Sequence, residues 1–368
     1  MKSDKTPPRV LFAVPLFFVA VSALALAQNE AGLSSRDSRD GNPAPSRDSR
    51  WVQPSRENGD KLRWGFREGI SVGLTPNRIR GLISIYTPYA GQRVDNNINF
   101  FAIEPVAKGE TRRGFSELEQ SQLDNKQGKR IWTSNDDGVE AHEPRDTEKP
   151  APGVVRMENG EETLTVFFFV EPFRNGARVY VRAKFYASRP YEVEISTHAR
   201  RDSRELAYCI VTATMGNYAR LRRLFLRDGV KTAAEIWPDY AGDAFAPHAV
   251  FARERMIAGR DGYPYFVAAP DEKNPAEARH SDETGRRWRY VGRPVVQYWY
   301  CKDADDSLQG LVNGRVVYWA SKTPIPGGIS FENFELRKQF RGGDRFVFGV
   351  SPLSAEEFVG AISAKARH

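Results

Sequence analysis

The densest group of side chains able to carry out chemistry lies in a short, turn-rich segment. It brings together two carboxylates, a phenol, an indole and an imidazole: Trp237, Asp239, Tyr240, Asp243 and His248. Loops held on a rigid sheet are where catalytic and binding groups usually lie. We therefore predict His248, Tyr240, Asp239 and Asp243 as catalytic residues and Trp237 as a substrate contact. The alternative is a turn capped by an aspartate beside a hydrogen-bonded histidine.

The chemistry favoured for this segment is β-elimination on a uronic-acid sugar. Such a lyase needs a base to remove the proton beside the sugar carboxylate, and His248 and Tyr240 are of the right type. It also needs cations that neutralise the carboxylate as charge builds, for which Arg200, Arg201 and Arg220 are the candidates.

A second candidate is the acidic pair Glu117 and Glu119. On a strand, residues two apart share one face, so both carboxylates would meet a substrate together. A glycoside hydrolase needs two carboxyl groups across the scissile bond, normally supplied by separate strands. Pairing one glutamate with Asp239 or Asp243 would meet that need. The alternative is a solvated acidic edge.

Aromatic residues concentrate in the C-terminal third. Flat rings that stay exposed form platforms for sugars, whereas buried rings fill the core. The dipeptides Tyr298-Trp299 and Tyr318-Trp319 each present a ring to both faces of a strand. We predict Tyr298 and Trp299 as substrate contacts, with core filling as the alternative for at least half of the set Trp288, Tyr290, Tyr298, Trp299, Tyr300, Tyr318 and Trp319.

Composition limits the partners. The formal charge is +7, carried mainly by arginine, and it indicates either an anionic partner such as an acidic polysaccharide or a genomic composition bias, since the positive residues are scattered among Asp and Glu. No recognition helix or aromatic-basic signature indicates nucleic acid. The five histidines are dispersed and no zinc-type spacing occurs, so we expect no metal and no cofactor.

Cys209 and Cys301 are interpreted either as one disulfide or as two buried thiols.

The N-terminal region predicts export. A basic start, an apolar stretch and the closing Ala25-Leu26-Ala27 are typical of a signal peptide over residues 1–27. Residues 28–60 are polar, with the tract Ser-Arg-Asp-Ser-Arg present twice, and predict a disordered spacer. We expect a secreted or periplasmic protein without stable membrane insertion once the signal is removed. The folded part spans 61–368 as one domain or two, with residues 141–153 as a long loop or seam.

Strand patterns dominate the folded part. Thr163–Glu171 is continuously apolar, as in a strand buried on both faces, and Ala177–Ala187 alternates apolar with polar residues. With the strand that starts at Glu192 they predict a three-stranded meander. Ile70–Leu74 and Leu82–Tyr86 predict two further strands.

Turn and helix signals complete the prediction. The sequence Val312-Asn313-Gly314-Arg315 predicts a hairpin turn, and Ile329–Leu336 is predicted to pair with Arg345–Val350. Helices are predicted over Asn217–Asp228 and after the capping box of Ser354 and Glu357. Many antiparallel strands with one or two short helices indicate an all-β class, as a large antiparallel sandwich.

The C-terminal third resembles the galactose-mutarotase-like β-supersandwich and other jelly-roll carbohydrate proteins. The residues that carry the likeness are Phe331-Glu332-Asn333-Phe334-Glu335-Leu336 and Phe340-Arg341-Gly342-Gly343. The resemblance implies a secreted protein that handles carbohydrate. We expect a polysaccharide-degrading enzyme acting on an acidic glycan, with lyase ahead of hydrolase because the domain is basic. The alternative is a non-catalytic carbohydrate-binding or envelope-associated protein.

Overall fold

The computed structural model describes residues 50–55, 62–74, 80–88, 90–92, 97–138, 150–271, 290–292, 295–319 and 321–363. The predicted signal peptide lies outside these residues, as do most of the predicted spacer and most of the loop at 141–153. One part of the spacer prediction is wrong, because Trp51 and Val52 form a strand in which Trp51 is buried. The indole N–H of Trp51 donates to Glu162 at 2.6 Å, so this short strand is anchored to the sandwich.

The described residues form strands with only short helical segments. In chain order the strands are β1 (Trp51–Val52), β2 (Leu62–Phe66), β3 (Ser71–Leu74), β4 (Leu82–Tyr86), β5 (Ala90–Gln92), β6 (Asn97–Ala107), β7 (Ile131–Ser134), β8 (Val154–Glu158), β9 (Glu161–Val170), β10 (Val179–Tyr186), β11 (Glu192–Ala199), β12 (Leu206–Thr214), β13 (Leu221–Leu226), β14 (Gly229–Thr232), β15 (Ala249–Ala252), β16 (Ile257–Ala258), β17 (Pro264–Pro270), β18 (Tyr290–Gly292), β19 (Val296–Cys301), β20 (Gln309–Arg315), β21 (Ser330–Arg337) and β22 (Arg345–Ser351). The α-helices are α1 (Ala233–Ile236) and α2 (Ala355–Ile362). Neither helix has the length or apolar character needed to cross a membrane.

Two large antiparallel sheets make up the fold, which confirms the all-β sandwich prediction. The nine-stranded sheet has the order β1-β2-β3-β4-β6-β12-β21-β20-β15. The eleven-stranded sheet runs β14-β13-β17-β19-β22-β11-β10-β9-β7, with β16 and β8 added beside β17 and β9. The predicted meander is present as β9, β10 and β11, paired antiparallel in sequence order.

The core lies between the two sheets. The ring of Phe101 on β6 lies with its centroid 5.7 Å from Trp299 and 5.2 Å from Phe348 of the other sheet. A buried polar pair crosses the same layer, where the Asn99 amide donates to the Gln297 side chain at 2.8 Å. Because side chains alternate along a strand, the intervening residues face away from the other sheet.

Helix α2 covers part of the outer face of the eleven-stranded sheet. The ring of Phe358 packs 4.6 Å from that of Tyr298, and the hydroxyls of Tyr298 and Tyr300 each donate to Glu192 at 3.0 Å. Trp299 points into the core and donates its indole N–H to a backbone carbonyl of β21 at 2.9 Å. The predicted exposed sugar platform is therefore wrong, since Tyr298 is 5% exposed and Trp299 1%.

The predicted Asn313-Gly314 turn is wrong, because both residues lie within the continuous strand β20. Neither has a positive φ, the feature that a type I′ turn requires. A Cβ atom at Gly314 would lie 3.0 Å from the indole of Trp237. The glycine is therefore explained by close packing and not by a turn.

Two further predictions fail because strand partners are chosen by the tertiary structure. The strands β21 and β22 do not pair, since β21 joins β12 and β20 whereas β22 joins β11 and β19. The helix predicted over Asn217–Asp228 is instead a short 3₁₀ turn followed by β13. Pairing of β13 with β14 and β17 outweighs the weak helical periodicity. The capping-box helix is confirmed as α2.

Candidate functional site

A cavity of about 450 Å³ lies on the outer face of the nine-stranded sheet. Its polar lining comes from elements far apart in sequence, since β6 is remote along the chain from the consecutive strands β20 and β21 and lies near them only in the folded sheet. The chemically capable side chains are those of Glu104, Glu117, His248, Asn313, Glu332 and Asn333. The cavity therefore gathers three carboxyl groups, one imidazole and two amides.

A β-bulge places the polar residues of β21 in this cavity. The pairing of β20 with β21 shifts between Val312 and Gly314, where β21 supplies one residue more than β20. Glu332 and Asn333 both lie opposite Asn313, and all three side chains line the cavity. In a regular strand, two successive side chains would face opposite sides. The extra residue redirects one of them, as bulges beside functional sites commonly do.

Glu117 is held by segment 113–119. This segment lies beside β6 and continues the sheet past Leu82, the first residue of β4. The backbone N–H of Gly114 donates to the carbonyl of Pro105 at 2.8 Å, and that of Ser116 to Ile103 at 3.1 Å. The Ser116 hydroxyl is buried and accepts the N–H of Ile103 at 2.9 Å. These bonds fix the backbone immediately before Glu117, whose side chain lines the cavity.

Glu119 does not join Glu117 in this cavity. The pair lies on a turn, so the predicted strand with both carboxylates on one face is wrong. The Glu119 Oε2 atom is 3.2 Å from the buried ammonium of Lys129, and it accepts the backbone N–H of Arg174 at 2.9 Å. These contacts give Glu119 a structural role.

Arg113 bridges two buried carboxylates beside the cavity. Its guanidinium lies 2.6 Å from Glu104 on β6 and 2.7 Å from Glu335 on β21. The Nε2 atom of His248 lies 3.7 Å from Glu335 and 3.5 Å from the Asn313 amide nitrogen. The positive charge of Arg113 is thus largely compensated, and the imidazole sits at the edge of a buried ionic group.

The carboxyl groups of the cavity hold protons more tightly than exposed glutamates do. Burial raises the pKa of Glu117 to about 7 and that of Glu332 to about 7. Burial also raises the pKa of Glu104, and the neighbouring Glu335 adds to that rise. Burial lowers the pKa of His248, so the imidazole is neutral near pH 7. Carboxyl groups that titrate near neutrality suit general acid–base catalysis.

The two acidic groups differ in their partners. Glu332 accepts a hydrogen bond from the Asn217 amide, and the charge of Arg315 lowers its pKa against the effect of burial. Both contacts favour the ionised form. For Glu117 the corresponding contacts are its own backbone and the Ser116 hydroxyl, with no cation among them. Glu332 therefore has neighbours that favour its ionised form, whereas Glu117 has no such cation beside it, although the pKa of both is about 7.

An aromatic rim borders the acidic cavity. Phe245, which is 40% exposed, and the half-buried Trp319 have ring centroids 5.8 Å apart, and both line the cavity. The guanidinium of Arg315 lies 5.0 Å from the first ring and 5.2 Å from the second. Rings ordered in this way offer an apolar surface against which a sugar ring can pack.

Of the five residues predicted in the segment around residues 237–248, only His248 lines the cavity. The Trp237 indole is buried and donates to the carbonyl of Pro247 at 2.9 Å, and the Tyr240 hydroxyl donates to Ala244 at 2.9 Å. Asp239 and Asp243 are exposed, and neither lines the cavity. Trp237 and Tyr240 thus hold the fold of a loop that presents His248 and the aromatic rim.

The predicted arginines and strand aromatics lie elsewhere. Arg201 is exposed between β11 and β12, and Arg220 is fully buried after the 3₁₀ turn. Tyr298 and Trp299 belong to the eleven-stranded sheet. Of the predicted site residues, the structure brings together His248 and Glu117.

Sequence reasoning missed Glu104, Asn313, Glu332 and Asn333. Each is a buried polar residue within a strand, and a polar side chain at a buried position is the informative exception. The turn predicted at Asn313 hid that signal. Glu332 and Glu335 contribute to the resemblance to carbohydrate proteins, but the sequence does not predict them as acids of a site.

The cysteines and possible metal ligands lie outside this chemistry. Cys209 and Cys301 are buried free thiols on different sheets, and burial raises the pKa of each to about 12. They act as small apolar residues, one of the two alternatives left by the sequence. Across the described ranges, no three His, Cys, Asp or Glu side chains are grouped to hold a metal ion.

Comparison of the chain with protein-family models, curated proteins and solved structures finds no match.

Proposed function

We propose that this protein is an exported carbohydrate-active enzyme that hydrolyses a glycosidic bond in the cavity of the nine-stranded sheet. The observation that carries the proposal is the pair Glu117 and Glu332. Glu332 is buried and Glu117 half-buried, both line one cavity, and desolvation raises the pKa of each carboxyl group to about 7. Glycoside hydrolysis uses two such groups, one as proton donor and the other as base or nucleophile.

In the proposed mechanism Glu117 protonates the leaving glycosidic oxygen. Glu332, whose ionised form is favoured by Asn217 and Arg315, acts on the other side as base or nucleophile. Phe245 and Trp319 hold the sugar ring, and the amides of Asn313 and Asn333 supply hydrogen bonds to its hydroxyls.

Elimination on an acidic sugar is the second candidate. It is favoured by His248, whose neutral imidazole lies near the Asn313 amide and at the cavity wall. It is disfavoured by the lining, because a uronate at this point would meet three carboxyl groups. Arg113 is already engaged by Glu104 and Glu335 and cannot easily neutralise the substrate.

The test is incubation of the purified protein with a panel of neutral and acidic polysaccharides. Hydrolysis releases reducing ends without absorbance from an unsaturated sugar, whereas elimination gives both. We expect Glu117→Gln and Glu332→Gln each to lower the hydrolysis rate by about 10²- to 10⁴-fold. Glu254→Gln, which removes an exposed carboxylate outside the cavity, should leave the rate unchanged.

Three outcomes contradict the proposal in different ways. Unsaturated products that vanish in His248→Ala would establish the lyase. Full hydrolytic activity in both glutamine variants would reject the two residues. Binding of a polysaccharide without cleavage of any panel member would indicate that the protein is a carbohydrate-binding protein and not an enzyme.

A further inference from the structure

A second cavity, of about 470 Å³, lies on the other side of segment 113–119. It has a different electrostatic character from the first. Its lining includes the guanidinium groups of Arg112, Arg113, Arg174 and Arg204 against the carboxylates of Glu110 and Glu119. The first cavity has three carboxyl groups and no arginine or lysine in its lining.

Two of these arginines carry uncompensated charge. Arg204 is paired with Glu110, and Arg113 with Glu104 and Glu335. Arg174 contacts the Gln120 side chain at 3.4 Å, and no carboxylate of the described chain pairs with it. Arg112 is exposed and makes no side-chain hydrogen bond or ion pair within the described residues.

The two cavities share a wall. Phe115 lines both of them, and Arg113 lines the second while binding Glu104, which lines the first. The wall is closely packed, because a Cβ atom on Gly114 would lie 2.7 Å from the ring of Phe173, and the Gly114 N–H is bonded to β6. A linear polymer lying in the first cavity and passing Phe115 would enter the second.

We infer that the second cavity is a subsite for the anionic groups of a glycan whose cleaved bond lies in the first. The inference rests on the proposed hydrolase function and names its substrate class. The substrate is a polymer with an uncharged sugar at the cleavage point and carboxylate or sulfate groups on nearby units. Guanidinium groups bind both anions through paired N–H donors. Arg112 and Arg174 supply them.

The experiment measures polymer binding, so that it can be read with or without turnover. The Arg112→Ala/Arg174→Ala double variant is compared with wild type by affinity electrophoresis in polygalacturonate, dextran sulfate and neutral β-glucan. We expect affinity for one or both acidic polymers to fall about tenfold. Retardation by the neutral polymer should not change. The carboxylate and sulfate arms distinguish which anion the subsite prefers.

The control is Arg227→Ala/Lys231→Ala, which removes the same charge from the β13–β14 hairpin, away from both cavities. Both double variants alter exposed side chains, and equal unfolding midpoints would show that folding is intact. Equal loss of affinity in the two double variants would mean that only net charge matters and would overturn the subsite. The subsite would also be overturned if Arg112→Ala/Arg174→Ala bound the acidic polymers as tightly as wild type does. It would likewise be overturned if wild type showed no affinity for acidic polymers. If cleavage fails but the selective loss is seen, the hydrolase proposal falls and the anion site stands.

Discussion

At Glu332, burial that suits acid–base chemistry also makes folding depend on pH. Its pKa is about 7 in the folded protein, above the ordinary value of 4.5, and it is 1% exposed. A raised pKa stabilises the fold fully below pH 4.5, and that contribution is lost as pH rises through 7. We predict that the free energy of unfolding falls over this window, by on the order of 3 kcal/mol for this group.

Glu332→Gln should reduce that pH dependence by the share of this one group, because the amide does not ionise whereas Glu117 and Glu104 still do. Denaturant unfolding at pH 5 and pH 8 measures it, with the exposed Glu254→Gln as the control that keeps the wild-type slope. Parallel slopes for wild type and Glu332→Gln would show that the group does not titrate as described.

The sequence allowed some chemically reactive residues to be predicted, but it did not allow their contacts to be predicted. His248 and Glu117 were recognised as reactive types, but their neighbours were assigned by proximity along the chain. The His248 ring instead faces Asn313 and Glu335 from β20 and β21. Short-range sequence patterns carry no information about such contacts.

At the scale of elements, Gly349 shows how close approach selects glycine. It pairs across β22 and β19 with Tyr298, and a Cβ atom would lie 2.2 Å from the tyrosine ring. We predict that Gly349→Ala lowers the unfolding free energy by about 1–3 kcal/mol, because the displaced ring would lose its contacts with α2 and Glu192. Urea titration measures the loss.

Gly360 on helix α2 is the control, because alanine there should change the unfolding free energy in the opposite direction. Apart from the backbone of its own helix, no heavy atom of the described residues lies within 4 Å of a Cβ built there, so Gly360→Ala should stabilise the protein by up to about 1 kcal/mol through helix propensity. Similar destabilisation in both variants would reject the close-packing explanation for Gly349.

The elements themselves were predicted where their signals are local. The alternation in β10 and the capping box of α2 need only neighbouring residues, and both predictions are confirmed. The Asn313-Gly314 prediction failed because a strand can contain the same dipeptide when tertiary packing demands it. The bulge that directs both Glu332 and Asn333 to the cavity has no local signature, since it depends on the register against β20.

For the whole molecule, stability depends on contacts that join the two sheets. Phe334 of β21 stacks on Phe266 of β17 with centroids 5.1 Å apart, and neither ring is exposed. We predict that Phe334→Ala lowers the unfolding free energy by about 3–5 kcal/mol because it leaves a cavity in the core. Thermal or denaturant unfolding measures the change.

Phe245→Ala is the matched control at the cavity rim. Since this ring is 40% exposed, its removal should cost less than about 1 kcal/mol of stability while weakening polysaccharide binding. A small effect of Phe334→Ala would mean that the sheets do not depend on this contact.

The sequence by itself determined the all-β class, the meander of β9 to β11 and the closing helix, because periodicity and capping act between near neighbours. Only the tertiary structure decided which sheet each strand joins and which polar groups meet. The reason is physical: strand pairing and inter-sheet packing join distant residues, such as Asn99 and Gln297, which are 198 positions apart. The candidate acids Glu117 and Glu332 became a pair only through such long-range contacts.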